Sequence, residues 1–257
     1  MRIYAIGDTH LSRARPKPMD IFGEHWRNHE ERIRDNWNAV AQDDDLLLVA
    51  GDISWAMRLD EARADLEFLA TFRGEKLLLK GNHDYWWSSL ARVRAIAPPR
   101  IDFLQNDSRV YGNVAIAGTR GWSAPGAGAR GREAGDAEAD RRHYQRELER
   151  LRLSLGSLRG QEFQRLIVMM HYPPIYRFDE PTPFSNLIES AGAALCVYGH
   201  LHGREVATAA EGTHGGLRYK LVSADGVDFR PWPAWPQTGS AGSEQPSCEG
   251  ETDERAY

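Results

Sequence analysis

Five apolar runs of strand length each break off into a short stretch of small residues and potential ligands, and this recurrence constrains the fold more than any other feature. Ile3 to Ile6 gives way to Gly7-Asp8-Thr9-His10, and Leu46 to Ala50 gives way to Gly51-Asp52. Lys76 to Lys80, with Leu77-Leu78-Leu79 at its centre, gives way to Gly81-Asn82-His83-Asp84. Leu166 to Met170 ends at His171, and Ala194 to Val197 leads to Gly199-His200-Leu201-His202. Strands without alternation are buried on both faces. Their polar ends are therefore expected to gather along one sheet edge.

Helical patterns separate the first three runs. Trp26, Ile33, Trp37 and Val40 recur at helical spacing across Glu24 to Ala41. Leu59, Ala62, Leu66 and Leu69 share one face of a second helix that Gly74 closes, and Leu90, Val93 and Ile96 mark a third that Pro98-Pro99 stops. Strand alternating with helix predicts an α/β fold whose sheet is covered on both faces. Val110 to Ala117 reads as strand with a hairpin turn at Gly112-Asn113. A Gly-, Ala- and Arg-rich stretch from Pro125 to Gly135 then leads into a charged helix carrying Tyr144, Leu148, Leu151, Leu155 and Leu158. That stripe lasts two heptads, too short for a coiled coil, and is expected to dock on the domain. A short helix is expected at Asn186 to Ala191, and Leu217 to Val222 with Val227 to Phe229 as a closing hairpin pair. The expected domain is 1–230, with an inserted loop and helix at about 120–160, and 231–257 as a disordered tail.

Composition limits the alternatives. At 257 residues, 41% hydrophobic and 27% charged, the chain buries a full core in the manner of an ordinary globular protein. A net charge of -5 argues against bulk attraction to nucleic acid or anionic membrane. Cys196 and Cys248 form no metal spacing or disulfide framework. Asp8 interrupts the N-terminal apolar stretch too early for a secretory leader, and no run spans a bilayer, so a cytoplasmic location is expected.

The strand-end residues are oxygen and nitrogen donors without sulfur. Such a set suits manganese, iron or zinc better than calcium or magnesium. Asp8 and His10 are two apart, which on an extended strand points both side chains the same way, and His200 and His202 follow the same logic. Asp52 is the candidate bridge between two cations, which would polarise a phosphoryl oxygen and activate a shared water for in-line attack. His83 is the candidate acid for the leaving oxygen. Gly81 is expected to let the backbone turn ahead of Asn82.

Asp8-x-His10, Gly51-Asp52, Gly81-Asn82-His83-Asp84, His171 and Gly199-His200-x-His202, in this order, resemble the calcineurin-like metallophosphoesterase family. The motifs cover residues 8 to 202. The resemblance implies an α/β fold of two packed mixed β-sheets flanked by helices, a four-layer sandwich, with two divalent metals at one sheet edge, manganese favoured. It implies that Asp8, His10, Asp52 and His202 hold one metal, that Asp52, Asn82, His171 and His200 hold the other, and that His83 is catalytic. The implied reaction is phosphodiester or phosphomonoester hydrolysis by a metal-bridging hydroxide. In the protein-phosphatase branch an aspartate three residues after the bridging one orients the catalytic histidine; here Trp55 holds that position, and Asp84 is the nearest alternative carboxylate. Gly51 to Met57 with Asn82 to Trp87 resembles an uncharacterised bacterial subgroup of predicted phosphohydrolases.

Trp55, Tyr85, Trp86 and Trp87 either pack the motif loops on the core or wall a substrate site, with core packing favoured for the set. Trp55 and Tyr85 are the candidates to face substrate. Arg120 leads Arg130, Arg132, Arg141 and Arg142 as a phosphate clamp, and His143 is a further substrate candidate. His25, His29 and His214 are expected at the surface. The expected partner is a small phosphoester. A nuclease acting on single strands and a non-catalytic scaffold are the alternatives; the intact ligand set argues against the scaffold.

Overall fold

Alternate residues of each all-apolar strand point into different cores, and this division builds the layers. The computed structural model describes residues 1–124 and 137–236. In chain order, β1 (Ile3–Ile6), β2 (Leu46–Ala50), β3 (Glu75–Leu79) and β4 (Ile101–Leu104) run parallel in one sheet. The second sheet contains β5 (Ser108–Tyr111), β6 (Val114–Thr119), β7 (Arg165–Met170), β8 (Leu195–Tyr198), β9 (Gly212–His214) and β10 (Leu217–Leu221). β11 (Trp232–Trp235) returns to the first sheet, antiparallel to β1. The strand orders are β11-β1-β2-β3-β4 and β5-β6-β7-β8-β10-β9.

Ile3, Ala5, Leu46, Leu48, Leu77 and Leu79 meet Val114, Ile116, Ile167, Met169, Leu195 and Val197 in a core between the sheets. The alternate residues Tyr4, Ile6, Leu47, Val49 and Leu78 face outward, under Ile33 and Trp37 of α1 (His29–Val40), Leu66 and Leu69 of α2 (Leu59–Ala70) and Val93 of α3 (Leu90–Ile96). On the far side, Val168, Met170, Cys196 and Tyr198 pack beneath Tyr144, Leu148 and Leu151 of α4 (Ala137–Gly156) and Phe184 and Ile188 of α5 (Pro183–Ser190). Two mixed sheets flanked by helices are the expected architecture. At about 25 cal/mol per Å² of apolar area, three such cores supply the main drive for folding.

Four local expectations are corrected. The helix expected from Glu24 is broken: a single 3-10 turn, Glu24–Trp26, precedes an extended Arg27 and a left-handed Asn28 (φ 52) before α1 begins. Val227 to Phe229 is a turn with positive φ at Asp228 and Phe229, so β10 pairs with β9 and β8 instead. Trp232-Pro233-Ala234-Trp235, which composition places in the tail, is the edge strand β11, where a proline without an N–H is tolerated. Ile101-Asp102-Phe103-Leu104 is a strand that the sequence pattern does not mark, because it is only four residues long and lies close to the next one. The loop expected at Pro125 to Gly135, with Arg130 and Arg132, and the tail beyond Pro236 lie outside the described residues.

Candidate metal centre

β1, β2 and β3 are parallel, as are β6, β7 and β8, so the polar stretches that follow them emerge at the same ends of their sheets. The turn into the site is made by left-handed backbone. Asp8 (φ 57), His10 (φ 44), Asp52 (φ 49) and His200 (φ 77) are four of the nine positive-φ non-glycine residues among those described. Such conformations are costly for L residues and concentrate where surrounding structure enforces them. This corrects the reasoning from strand alternation. Asp8 and His10 converge through two left-handed steps, while His200 turns to Asn82 and His202 to Asp225 and Asp8.

The ligand atoms form two overlapping groups: Asp8, His10 and His202, and Asp8, Asp52 and His171, each with its atoms within 4.8 Å of one another. Asp8 is the carboxylate common to both groups, and Asp52 Oδ2 lies 4.0 Å from His10 Nε2 and 3.6 Å from His171 Nε2, within reach of a ligand from each. Asn82 Oδ1 faces His171 Nε2 at 2.6 Å and His200 Nδ1 at 3.0 Å. His171 Nδ1 is 3.1 Å from the Ala50 carbonyl, an obligate acceptor, so the ring proton belongs on Nδ1 and Nε2 carries a lone pair. Two acceptors then face each other across 2.6 Å, an arrangement a shared cation satisfies. His10 Nδ1 and His202 Nε2 are likewise buried without a hydrogen-bond partner. The donor set, the facing acceptors and these unpartnered ring nitrogens fit divalent metal ions.

Charge distribution supports the same reading. Burial lowers the pKa of His10 and His171, and that of His200 to about 3, leaving neutral imidazoles with free lone pairs. Burial and then the charge of Asp8 raise Asp52 to about 8. Burial alone would raise Asp8, but the positive charge of His202, 3.3 Å away, holds it low. His202, though buried, is raised to about 10 by Asp8 and Asp225. The metal-free cluster thus offsets its carboxylates with protons on Asp52 and His202.

Asp84 does not support the His83 ring. Its fully buried carboxylate accepts from Ile53 N (2.9 Å), Ser54 N (3.1 Å) and Trp86 Nε1 (3.0 Å) on one oxygen and from Gly81 N (2.7 Å) on the other, lacing the Asp52 and Asn82 loops together. Gly81 has no left-handed φ; a Cβ there would lie 2.1 Å from Asp52 Oδ1, so glycine serves close approach and not a turn. His83 donates its backbone N–H to Asp52 Oδ1 at 2.8 Å, and its half-exposed ring sits with Nε2 4.0 Å from Asp52 Oδ2. Trp55 stacks on His10 with centroids 4.6 Å apart and packs against His83 at the same 4.6 Å. The position where the protein-phosphatase branch carries an orienting aspartate is therefore filled by a ring that packs against His83.

A cavity of about 320 Å³ opens over the cluster, lined by His10, Asp52, His83, His200 and His202 on one side and by Met19, Phe22, Trp26 and Trp55 on the other. Tyr85 does not line it: 57% exposed, with its ring 6.2 Å from His83, it lines a separate cavity with Met57, Arg58 and Arg92. Arg120 lies elsewhere: its side chain pairs with Glu147 at 3.2 Å and lines a separate cavity. His143 stacks on Trp122 at 4.7 Å, likewise outside the cluster's cavity. Trp86 and Trp87 are core residues, each 1% exposed.

Two supporting residues lie outside the sequence motifs. Asp225 accepts from His202 Nδ1 at 2.8 Å, and nothing in Ser223-Ala224-Asp225 marks it in the sequence. His29, expected at the surface, is buried, with its ring nitrogens 3.2 Å from the Trp26 carbonyl and 3.1 Å from that of Thr9. Its place at the start of α1, directly after the break, is the available signal.

A family model described as calcineurin-like phosphoesterase matches residues 1–204. Among solved structures, the chain is similar to phosphopantetheinyl hydrolase from Mycobacterium tuberculosis, with 17% identity over 92% of this chain and 96% of that one and a TM-score of 0.55. It is also similar to TT1561 of Thermus thermophilus, with 14% identity over 78% of this chain and 82% of that one and a TM-score of 0.51. At these identities the likeness is one of fold. No curated protein matches the sequence. No helix among the described residues is long and apolar enough to cross a membrane.

Proposed function

This chain belongs to the calcineurin-like phosphoesterase family, and on that premise we propose that it is a binuclear metal-dependent phosphoesterase acting on a small phosphodiester or phosphomonoester. The observation that carries the reading is the clustering of Asp8, His10, Asp52, Asn82, His171, His200 and His202, with unpartnered ring nitrogens, four of them lining one cavity. Asp8, His10, Asp52 and His202 would hold one ion, and Asp52, Asn82, His171 and His200 the other. Manganese is favoured for this sulfur-free set. When bound, two such ions supply Lewis-acid polarisation of the phosphoryl group and a nucleophile from water near neutral pH.

The chain's own residues supply the rest. Asp8 and Asp52 bring the negative charge that retains cations, and the Asp84 lacing holds two of the ligand loops in register. His83 is the proton donor to the leaving oxygen. Burial, with the Lys17 charge nearby, pushes it to about 4 and leaves the resting ring neutral. The negative charge of a phosphoester in the cavity acts in the opposite direction and favours the protonated ring. Met19, Phe22, Trp26 and Trp55 offer apolar area to the alcohol part of the ester.

The reading is tested with Mn(II)-loaded protein against aryl mono- and diesters, cyclic nucleotides, a phosphopantetheine ester and short single strands. Hydrolysis of at least one small ester is expected. Metal-replete protein inert toward all the simple esters defeats the general reading, and cleavage confined to single strands supports the nuclease alternative.

A further inference from the structure

One strand across from the metal cluster, a second cavity of about 90 Å³ opens where Lys80 leaves β3, Gln105-Asn106 leave β4 and Thr119-Arg120 leave β6. No residue lines both this cavity and the one over the cluster. Three cationic side chains, Lys80, Arg120 and Arg150, line it against one carboxylate, Glu147. Glu147 is 1% exposed and fully engaged: Oε1 accepts from Arg120 at 3.2 Å and Arg150 at 2.6 Å, and Oε2 accepts from Thr119 at 2.7 Å. Arg120 Nε is buried with no partner. Lys80 Nζ, which has three protons to donate, reaches the Trp87 carbonyl at 2.6 Å.

Three cations against one carboxylate leave an uncompensated positive charge beside the unmet N–H of Arg120 Nε, a combination that costs free energy unless a ligand completes it. The volume corresponds to about three waters, the scale of a single tetrahedral oxyanion. Guanidinium and ammonium groups together recognise such an anion through charge-assisted hydrogen bonds. We propose that the cavity bounded by Lys80, Arg120 and Arg150 is an oxyanion site that takes inorganic phosphate, separate from the metal centre. It is joined to that centre through the backbone. Lys80 directly precedes Gly81-Asn82, and the Arg120 carbonyl accepts the N–H groups of His171 (3.1 Å) and Tyr172 (2.9 Å). A bound phosphate therefore bears on the segments that carry two of the candidate ligands.

The test is calorimetric titration of inorganic phosphate into the Mn(II)-loaded chain and three variants. Binding at this site is expected to persist in Asp52→Asn, which disables the metal centre, and to weaken at least tenfold in Lys80→Met and in Arg150→Gln. Binding that vanishes with Asp52→Asn and is unchanged in the other two, or no binding to the parent chain, overturns the proposal. Removing Arg150 strips a partner from buried Glu147, so a second measurement uses the unaltered chain. Crystals soaked in selenate should show anomalous density within hydrogen-bond reach of Lys80 Nζ and Arg120 Nε; density confined to the metal cluster, or none, contradicts it.

Discussion

His202 gives its Nδ1 proton to Asp225 at 2.8 Å, which fixes the tautomer and turns Nε2 toward Asp8, 3.3 Å away. The second Asp225 oxygen accepts the Gly203 N–H at 2.8 Å, so the carboxylate holds both the ring and the loop that carries it. Partners of this kind set ligand orientation and basicity, and their removal weakens metal affinity about 10- to 100-fold. Asp225→Ala is expected to lose that much Mn(II) affinity in a competition assay with a chelator. Asp225→Asn, which still offers an oxygen to Nδ1–H, should recover part of it. Equal affinity in all three proteins would remove Asp225 from the site.

Gly81 tests the close approach of the two ligand loops. A Cβ at that position falls 2.1 Å from Asp52 Oδ1 and 2.2 Å from Asp52 N, so the Asp52 backbone itself would have to move. Gly81→Ala should cost about 1–3 kcal/mol in urea unfolding, as overpacking does, and should weaken metal binding as well. A variant with unchanged stability and metal affinity would show that the loops are not packed this tightly.

Metal loading should release protons. At pH 7 the metal-free cluster carries one proton on Asp52, raised to about 8 by burial and Asp8, and one on His202, raised to about 10 despite burial by Asp8 and Asp225. Ligation requires both groups in their basic forms. Mn(II) titrations in buffers of different ionisation enthalpy should therefore report proton release, and affinity should rise with pH toward 8 as Asp52 deprotonates. A binding heat independent of buffer would contradict this charge distribution.

Much of this site is legible from residue order because each candidate metal ligand lies within four residues of the end of its strand. The five strand ends Asp8, Asp52, Asn82, His171 and His200 need only the rule that polar groups leave an apolar strand at its end. Supporting residues obey no such rule. Asp225 lies in the turn after β10 and reaches His202 across 23 positions, a contact no local pattern encodes. Spacing assigns Trp26 to a helix face, yet the break at Asn28 turns its indole to the site, 5.6 Å from His202. β11 is hidden in the sequence because an edge strand needs little regular alternation and tolerates proline.

Lys76 offers a pH test remote from the cluster. Its side chain is buried in β3, with Nζ donating to the Phe72 and Gly74 carbonyls at 2.8 Å each, and burial lowers it to about 8. Between that value and its unfolded value of 10.5 the unfolded chain binds more protons, so stability contributed by this group rises with pH. Below about pH 8 both states are protonated and the burial penalty is fully present. Unfolding at pH 7.5 and 9.5 should show the parent chain gaining about 1–2 kcal/mol relative to Lys76→Met. A parallel response of the two proteins would mean that Lys76 titrates normally.

His83 and Trp55 separate proton transfer from positioning. Asp84 is occupied by four N–H donors, so no carboxylate among the described residues is hydrogen-bonded to the His83 ring; the contact that fixes it is the Trp55 indole, 4.6 Å between centroids. His83→Ala should keep its metals and lose about 10²- to 10⁴-fold in kcat on esters with poor leaving groups. It should lose far less on activated aryl esters, whose leaving oxygen needs no proton. Trp55→Ala should show the same dependence on leaving group at smaller amplitude, because a ring left unpacked still gains its proton beside the anionic ester but samples more orientations. Trp55→Phe, which preserves a flat contact, should restore most of the rate. Loss of metal in His83→Ala would make His83 a ligand, and a uniform loss across all esters would remove it from proton transfer.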